Sequence, residues 1–336
     1  MPPLRRAEEW AAIHRFRRRR HEESRSEEPF EPDGLAKLDM QREEPSNISE
    51  MLVARDGDEV AGFATIWIPR PGAAGYESNR GILWFDLYVL RESRGRGVGR
   101  AIFPQVLEVA QRHEGRLIGT NAEEPEGVAT LEGHGFKRRS EARYSRLDLL
   151  ALDWSRVAAW AAEGRQRSPE RTLRLLVGSP PADELEAHSR SMTELFNTIP
   201  WDDIDHGDIV FTPETVIEGG EHHERLGGVM TRHLVYEPDG RMTAGTEMLH
   251  FPDAQPEHAH QWLTAVHRTA QGNGIGRWMK CEMRLHLRRT FPRVRWVLTD
   301  NASSNSHKLK INIELGFRPY RVEGTYQAAL ADLSRG

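Results

Sequence analysis

The stretch Gln271-Gly272-Asn273-Gly274-Ile275-Gly276-Arg277 sets glycines at alternate positions. That spacing lets successive backbone N–H groups converge without interference from Cβ atoms, and converging N–H groups bind anions. A helix opening at the same point adds the partial positive charge of its N-terminus. The same construction occurs earlier, as Arg94-Gly95-Arg96-Gly97-Val98-Gly99-Arg100. The chemistry on offer is phosphate binding, twice in one chain. Neither copy satisfies the dinucleotide fingerprint Gly-x-Gly-x-x-Gly, and neither is followed by Lys-Ser/Thr, which excludes a nucleoside-triphosphatase loop.

Each cradle needs a strand before it and a helix after it. Trp262-Leu263-Thr264-Ala265-Val266 supplies the strand for the second copy, with a helix starting near Arg277. Residues 82–89, ending in Val89, supply it for the first, and Ile102, Val106, Val109 and Ala110 line one face of the following helix. Upstream of the first cradle, residues 7–20 carry Trp10, Ile13 and Phe16 at helical spacing. They end in Arg17 to Arg20, which reads as a solvated helix end because acidic residues follow at once. Residues 51–54 and 60–68 form a hairpin, 116–119 a short strand, Gly135-Phe136 a turn, and 144–149 a further strand.

A helix over 154–166 has the polar flank of a linker. Beyond it the order repeats: strand 172–177, helix 185–196, hairpin 226–236 with 242–251, cradle, helix 277–288, strand 294–299, helix 305–315, Gly316-Phe317, and a final strand 320–329. From cradle to Gly-Phe is about 42 residues in the first copy and about 46 in the second, the mark of an internal repeat. The expected domains are 1–152 and 171–336, joined by a linker at 153–170. The expected fold class is α/β (α+β), each domain a twisted mixed sheet flanked by helices.

The bulk numbers agree with this layout. The chain has 336 residues, room for two domains of about 150–170 residues. A net charge of −5 gives no support for nucleic-acid binding. One cysteine, Cys281, leaves no intrachain disulfide and no cysteine cluster for zinc, and its helical spacing marks it as a core thiol. No apolar run reaches about 18 residues and the N-terminus lacks a signal-peptide core, so a cytoplasmic protein without a membrane segment is expected. No metal site is expected either, since the histidines near 258–267 lack ligand spacing.

The cradles, their flanking elements and the Asn-rich junction Asn301-Ala302-Ser303-Ser304-Asn305 before a helix ending in Leu315-Gly316-Phe317 resemble the GNAT N-acetyltransferases. The first copy offers Asn121 and His134-Gly135-Phe136, and the second copy carries the likeness more completely. The layout is similar to that of tandem GNAT proteins such as the mycothiol synthase-like acetyltransferases. The resemblance implies acetyl-CoA as co-substrate. Its pyrophosphate would meet Gln271, Gly272, Asn273, Gly274, Ile275, Gly276 and Arg277, and in the first copy Arg94, Gly95, Arg96, Gly97, Val98, Gly99 and Arg100. Its pantetheine arm would lie along Ala265 and Val266, or Val89, with Asn301 and Asn305 as hydrogen-bond partners.

N-acetylation needs a base for the amine, a polarised carbonyl and an outlet for the thiolate. His260 falls where the family often places a basic glutamate, and imidazole titrates near neutral pH. Glu247 on the preceding strand and Glu257 are the alternative bases. The family's tyrosine acid, four residues before the Gly of Gly-Phe, is replaced by Asn312 and Leu131, so the candidate acids are Tyr326 or Tyr320 on the last strand, or water. Glu124 stands where Asn305 stands in the second copy, which makes the N-terminal domain a degenerate scaffold. The implied activity is transfer of acetyl to a small amine in the C-terminal domain. The alternative is a catalytically silent acyl-CoA-binding or sensing protein. The absent first strand of the N-terminal domain leaves room for completion by another segment, as in a homodimer.

Overall fold

Each glycine cradle links a strand to a helix, and each lies in its own unit. The computed structural model describes residues 7–333. Unit 1 comprises Met1–Ser140, Asp203–Gly207 and Glu323–Gly336; unit 2 comprises Glu141–Asp202 and Asp208–Val322.

Unit 1 begins with α1 (Ala7–Ser24), α2 (Asp33–Met40), β1 (Asn47–Asp56), β2 (Glu59–Pro69), α3 (Tyr76–Asn79), β3 (Ile82–Val89), α4 (Val98–Arg112), β4 (Leu117–Ala122) and α5 (Pro125–Gly133). β5 (Lys137–Asp148) follows. Unit 2 then contains α6 (Trp154–Arg167), β6 (Thr172–Val177), α7 (Leu185–Phe196), α8 (Pro213–Arg225), β7 (Val229–Tyr236), β8 (Met242–His250), β9 (His258–Val266), α9 (Ile275–Thr290), β10 (Trp296–Ala302) and α10 (Ser306–Leu315). β11 (Arg318–Ala329) and α11 (Leu330–Leu333) close the described chain.

The unit 1 sheet has the order β1-β2-β3-β4-β11, its last member being Gly324–Ala329 paired antiparallel with Ala122–Leu117. The unit 2 sheet has the order β6-β7-β8-β9-β10-β5, with Ala142–Asp148 of β5 antiparallel to β10. The units therefore do not follow boundaries at 152 and 171. Each sheet takes its outer strand from residues distant in sequence, a pairing that local periodicity cannot reveal. Among the described residues of unit 1 no strand precedes β1.

Two further corrections concern helices. The predicted linker helix, α6, is a packed element of unit 2: Val157 and Ala161 are buried in the same cluster as Trp278 and Met279 of α9. A Cβ on Gly164 would lie 2.5 Å from the Cβ of Trp278, so glycine is what lets the two helices approach. The arginine run of α1 is ion-paired while Arg18 and Arg19 remain exposed to solvent. Arg17 meets Glu31 at 2.9 Å, Arg20 meets Asp86 at 2.6 Å, and Arg19 pairs with Glu92. Its apolar face behaves as expected, with Ile13 and Phe16 buried against Val60 and Phe63.

No helix among the described residues is long and apolar enough to cross a membrane. Cys281 is fully buried, and burial pushes its thiol up to about 11.

Candidate active site

The two cradles share one backbone geometry. Gly95 and Gly97 have φ of +71° and +84°, and Gly272 and Gly274 have +83° and +75°. An L-residue is strained in this region, so the positions require glycine for conformation. A Cβ at any of the four would meet nothing within 4 Å, so glycine is required there by conformation and not by crowding. Gly97 and Gly274 are the caps of α4 and α9, so each cradle ends on a helix N-terminus. The turn is anchored the same way in both: Arg94 Nε donates to the carbonyl of Val89 at 3.1 Å, and Gln271 Nε2 donates to that of Val266 at 3.0 Å.

In each unit the strand before the cradle runs parallel to the strand after the helix for three residue pairs only. These are Ile82–Trp84 with Leu117–Gly119, and His258–His260 with Trp296–Leu298. Beyond them the strands separate, and a fork opens toward the cradle. In unit 2 the fork is sharpened by a β-bulge. The register shifts between Thr246 and Met248, so Glu247 opposes both Trp262 and Leu263 on β9. The equivalent β2–β3 ladder of unit 1 is regular from Gly62–Val89 to Trp67–Trp84.

The forks differ in charge. In unit 1 the carboxylate of Glu124 takes Arg94 at 2.6 Å and Arg91 at 2.8 Å, while Arg96 pairs with Asp56 at 2.9 Å. Burial alone would raise the Glu124 pKa, but hydrogen bonds from Arg91 and Arg94 overcome it and hold it below the usual value. In unit 2 the counterparts of Arg94 and Arg96 are the neutral Gln271 and Asn273, while Arg91 has a charged counterpart in Arg268. Asn273 Nδ2 donates to the carbonyls of Ala270 and Gln271, and Arg277 is held by Glu163 at 3.4 Å and lies over Trp160.

Asn301 sits on the part of β10 that has left β9. It is 2% exposed, yet neither its side-chain oxygen nor its nitrogen has a hydrogen-bond partner. A buried amide with both ends unmet is costly, and it calls for a ligand or water. Asn305 is accounted for locally: it is the N-cap of α10, its Oδ1 accepting from the N–H of Lys308 at 3.1 Å. Its unit 1 counterpart, Glu124, holds the cap position of α5 without a side-chain cap bond.

His260 and Glu247 share a sheet face. Ala259 and Gln261 contact the α9 side, so His260 between them points to the side of α7 and α8. It is half-buried, on the last residue pair before the fork opens. Glu247 lies on that same face, 8% exposed, with Arg232 Nε at 2.7 Å; Arg232 also donates to the carbonyl of Gly178. Beside this pair His188 of α7 is held to about 4, by burial first and then by the charge of Arg232. Trp262 meets His223 of α8 edge-on at 5.1 Å.

Tyr326 is not at this fork. It lies among residues of unit 1, 3% exposed, paired with Thr120 on β4 and packed in the cluster of Phe85, Ile118 and Phe136. It was assigned to the second cradle because residues 320–329 follow that cradle in sequence, whereas Gly324–Ala329 complete the other sheet. The position expected to hold a tyrosine acid, Asn312, is buried and accepts a hydrogen bond from Lys280 of α9 at 2.5 Å. Lys280 and Arg284, both fully buried, were missed from sequence. They stand at i and i+4 among Met279, Cys281 and Met283, on a helix that also buries His286.

Comparison with known proteins places this geometry. Residues 10–136 match the model of the acetyltransferase (GNAT) family. The chain is similar in fold to a tandem GNAT protein from the clavulanic acid biosynthesis pathway, with a TM-score of 0.71, 19% identity and 95% of each chain covered. The chain is a tandem GNAT-fold protein. A GCN5-related N-acetyltransferase from Sphaerobacter thermophilus is also similar in fold, at TM-score 0.61 and 16% identity, covering 89% of this chain and 86% of that one. So is a glucosamine N-acetyltransferase region of a fungal multi-domain β-N-acetylglucosaminidase, at 0.64 and 14%, covering 94% and 37%. A search of the curated proteins finds no match.

The family model matches the N-terminal GNAT copy, although the sequence reading found the fuller likeness in the C-terminal one. Unit 1 keeps the glycine turn, helix and Gly-Phe of the GNAT pattern while filling its fork with Glu124. Among the described residues there is no group of three His, Cys, Asp or Glu side chains able to hold a metal ion.

Proposed function

We propose that this chain transfers an acetyl group from acetyl-CoA to the nitrogen of a small amine, and that unit 2 carries the reaction. The observation that supports unit 2 most directly is the unmet amide of Asn301, with Asn305 standing where unit 1 has the arginine-paired Glu124. The N–H groups of residues 271–276 and the α9 dipole would hold the pyrophosphate of the co-substrate. Ala265, Val266 and Asn301 would line its arm. When bound, acetyl-CoA supplies a thioester carbon open to attack by a neutral amine.

The protein's share of the chemistry divides between the faces of the sheet. On the α7 and α8 face, His260 receives the amine proton, directly or through water. Glu247 is the less available of the two, because Arg232 pairs with it at 2.7 Å and needs that partner. Its role is to fix that face electrostatically. The bulge at Trp262 and Leu263 leaves backbone N–H groups out of the ladder, which suits them to polarise a carbonyl.

A second reading, a silent acyl-CoA-binding protein, is favoured by Asn312 in place of a tyrosine and by the burial of Tyr326 in unit 1. Calorimetric titration with CoA, followed by a thiol-release assay with acetyl-CoA and a panel of small amines, decides between them. Binding with transfer supports the enzyme. Binding without transfer to any amine supports the silent protein, and absence of binding overturns both.

A further inference from the structure

Two cations are sealed inside unit 2 without a counter-charge. Lys280 and Arg284 each have 0% exposure. Lys280 donates to Asn312 Oδ1, its one acceptor among the described residues. Arg284 Nη2 donates to Gln261 Oε1, while its Nε and Nη1 are buried with no partner. Lys308, Arg284 and Cys281 act on Lys280, and Cys281 acts on Arg284, which also influences His233 and lies 5.5 Å from the Phe317 ring centroid; no carboxylate is among them. Burial, then Lys308 and Arg284, lowers the Lys280 pKa well below its ordinary value, as expected for an ammonium kept from both water and anions. Two buried cations side by side are strongly unfavourable for the empty protein unless an anion completes the site.

Their position indicates which anion. Gly276, Lys280 and Arg284 follow one another at i+4 steps along one face of α9, a rise of about 6 Å per step. Gly276 is the last glycine of the cradle and lies near Val266 and Ile311. Arg284 reaches Gln261, the first β9 residue beyond the paired segment, whose carbonyl accepts from Thr299 Oγ1 at 3.1 Å. The row therefore runs from the pyrophosphate cradle to the closed end of the fork, with Asn301 and Asn312 lining it.

We propose that Lys280 and Arg284 form a thiolate well, holding the sulfur of CoA in its anionic form at the closed end of the fork. This rests on the functional reading above and assigns the leaving-group side of that same site. During transfer the amine nitrogen bonds to the acyl carbon, the C–S bond breaks with its electron pair on sulfur, and the amine proton leaves on the His260 face. The well stabilises the sulfur anion without needing a tyrosine at position 312.

The test uses free CoA and desulfo-CoA, so it does not depend on the acceptor. Bound CoA, followed by the ultraviolet absorbance of its thiolate, is expected to ionise at a pKa at least about one unit below that of an ordinary thiol, near 8.5. Lys280→Met and Arg284→Met should each return it toward the free value. The wild-type protein provides a check that needs no variant to fold: affinity for CoA should rise relative to desulfo-CoA as pH increases from 7 to about 9. CoA that binds with an unshifted thiol, or with the same pH dependence as desulfo-CoA, overturns the well alone. Failure of both compounds to bind overturns the functional reading and the well with it.

Discussion

Arg94 and Glu124 form an ion pair of 2.6 Å across the open end of the unit 1 fork, where unit 2 has the neutral residues Gln271 and Asn305. A carboxylate there competes with any incoming phosphate for the arginine and repels it. Glu124→Gln removes one negative charge and frees Arg94. It should tighten CoA binding by unit 1 about tenfold, or about 1.4 kcal/mol. Titration calorimetry in a Gly274→Trp background, which blocks the unit 2 cradle, isolates the effect. Unchanged affinity would mean that the pair does not gate the N-terminal fork.

Asn301 sets stability against binding. Replacing its unmet amide with the similar-sized Leu relieves a desolvation penalty, so Asn301→Leu should stabilise the CoA-free protein by about 1 kcal/mol or more. The same change should weaken CoA binding. Denaturant melts of the CoA-free protein and CoA titrations check the two halves separately. A variant that loses stability would show that the amide is satisfied in solution.

The cradle glycines separate conformation from space. Gly274→Ala forces an L-residue to φ near +75°, at a cost of about 1–2 kcal/mol, and should weaken CoA binding by about tenfold or more. Gly276 is not in that region, and its added Cβ would make ordinary contacts of 3.7 Å with Ile311 and 3.8 Å with Val266. Gly276→Ala should therefore leave the melting temperature of the CoA-free protein nearly unchanged. Equal destabilisation by both substitutions would contradict the backbone argument.

His188 and His233 predict an acid sensitivity in unit 2. Burial is the main cause holding each to about 4, with Arg232 adding to the effect on His188 and His286 on His233. At neutral pH both states are uncharged. As pH falls below about 6.5 the unfolded chain takes up protons that the native protein refuses, so stability drops until pH passes the native value near 4. The loss should approach about 3 kcal/mol for each histidine, at about 1.4 kcal/mol per pKa unit. Urea melts between pH 7.5 and 4.5 measure it, and His188→Gln should flatten the slope.

His260 and Glu247 are distinguishable by what else their loss does. His260→Gln should abolish the acidic limb of the kcat/KM profile while leaving the melt unchanged. Glu247→Gln strands Arg232 in a buried site and should cost about 3–5 kcal/mol of stability. A Glu247→Gln protein that melts normally but loses the acidic limb would transfer the base role to that residue.

Much of this architecture is written in local pattern. The strand at 172–177 and the helix at 185–196 have the bounds that apolar spacing predicts, and both cradles lie between their strands and helices. Helix α8 escaped notice because Gly219, Gly220 and a run of His and Glu obscure its periodicity, although Thr212 and Thr215 form a capping box around Pro213. Tyr326 was misplaced because strand partners are chosen by long-range packing. Lys280 and Arg284 were overlooked because composition alone marks a lysine or arginine as exposed, and only the fold shows a helix face with no solvent on it.

The pairing of Gly324–Ala329 with β4 bears on how the chain is made. Nascent domains generally fold in order as they emerge, N-terminal ones first. Here the strands of unit 1 wait for a partner encoded far downstream, after all of unit 2's helices. During that interval β4 carries an unfilled edge, a surface that invites wrong partners. A ribosome stalled before residue 324 would thus display unit 1 unfinished, and pulse proteolysis of such stalled chains should cut it far faster than the released protein.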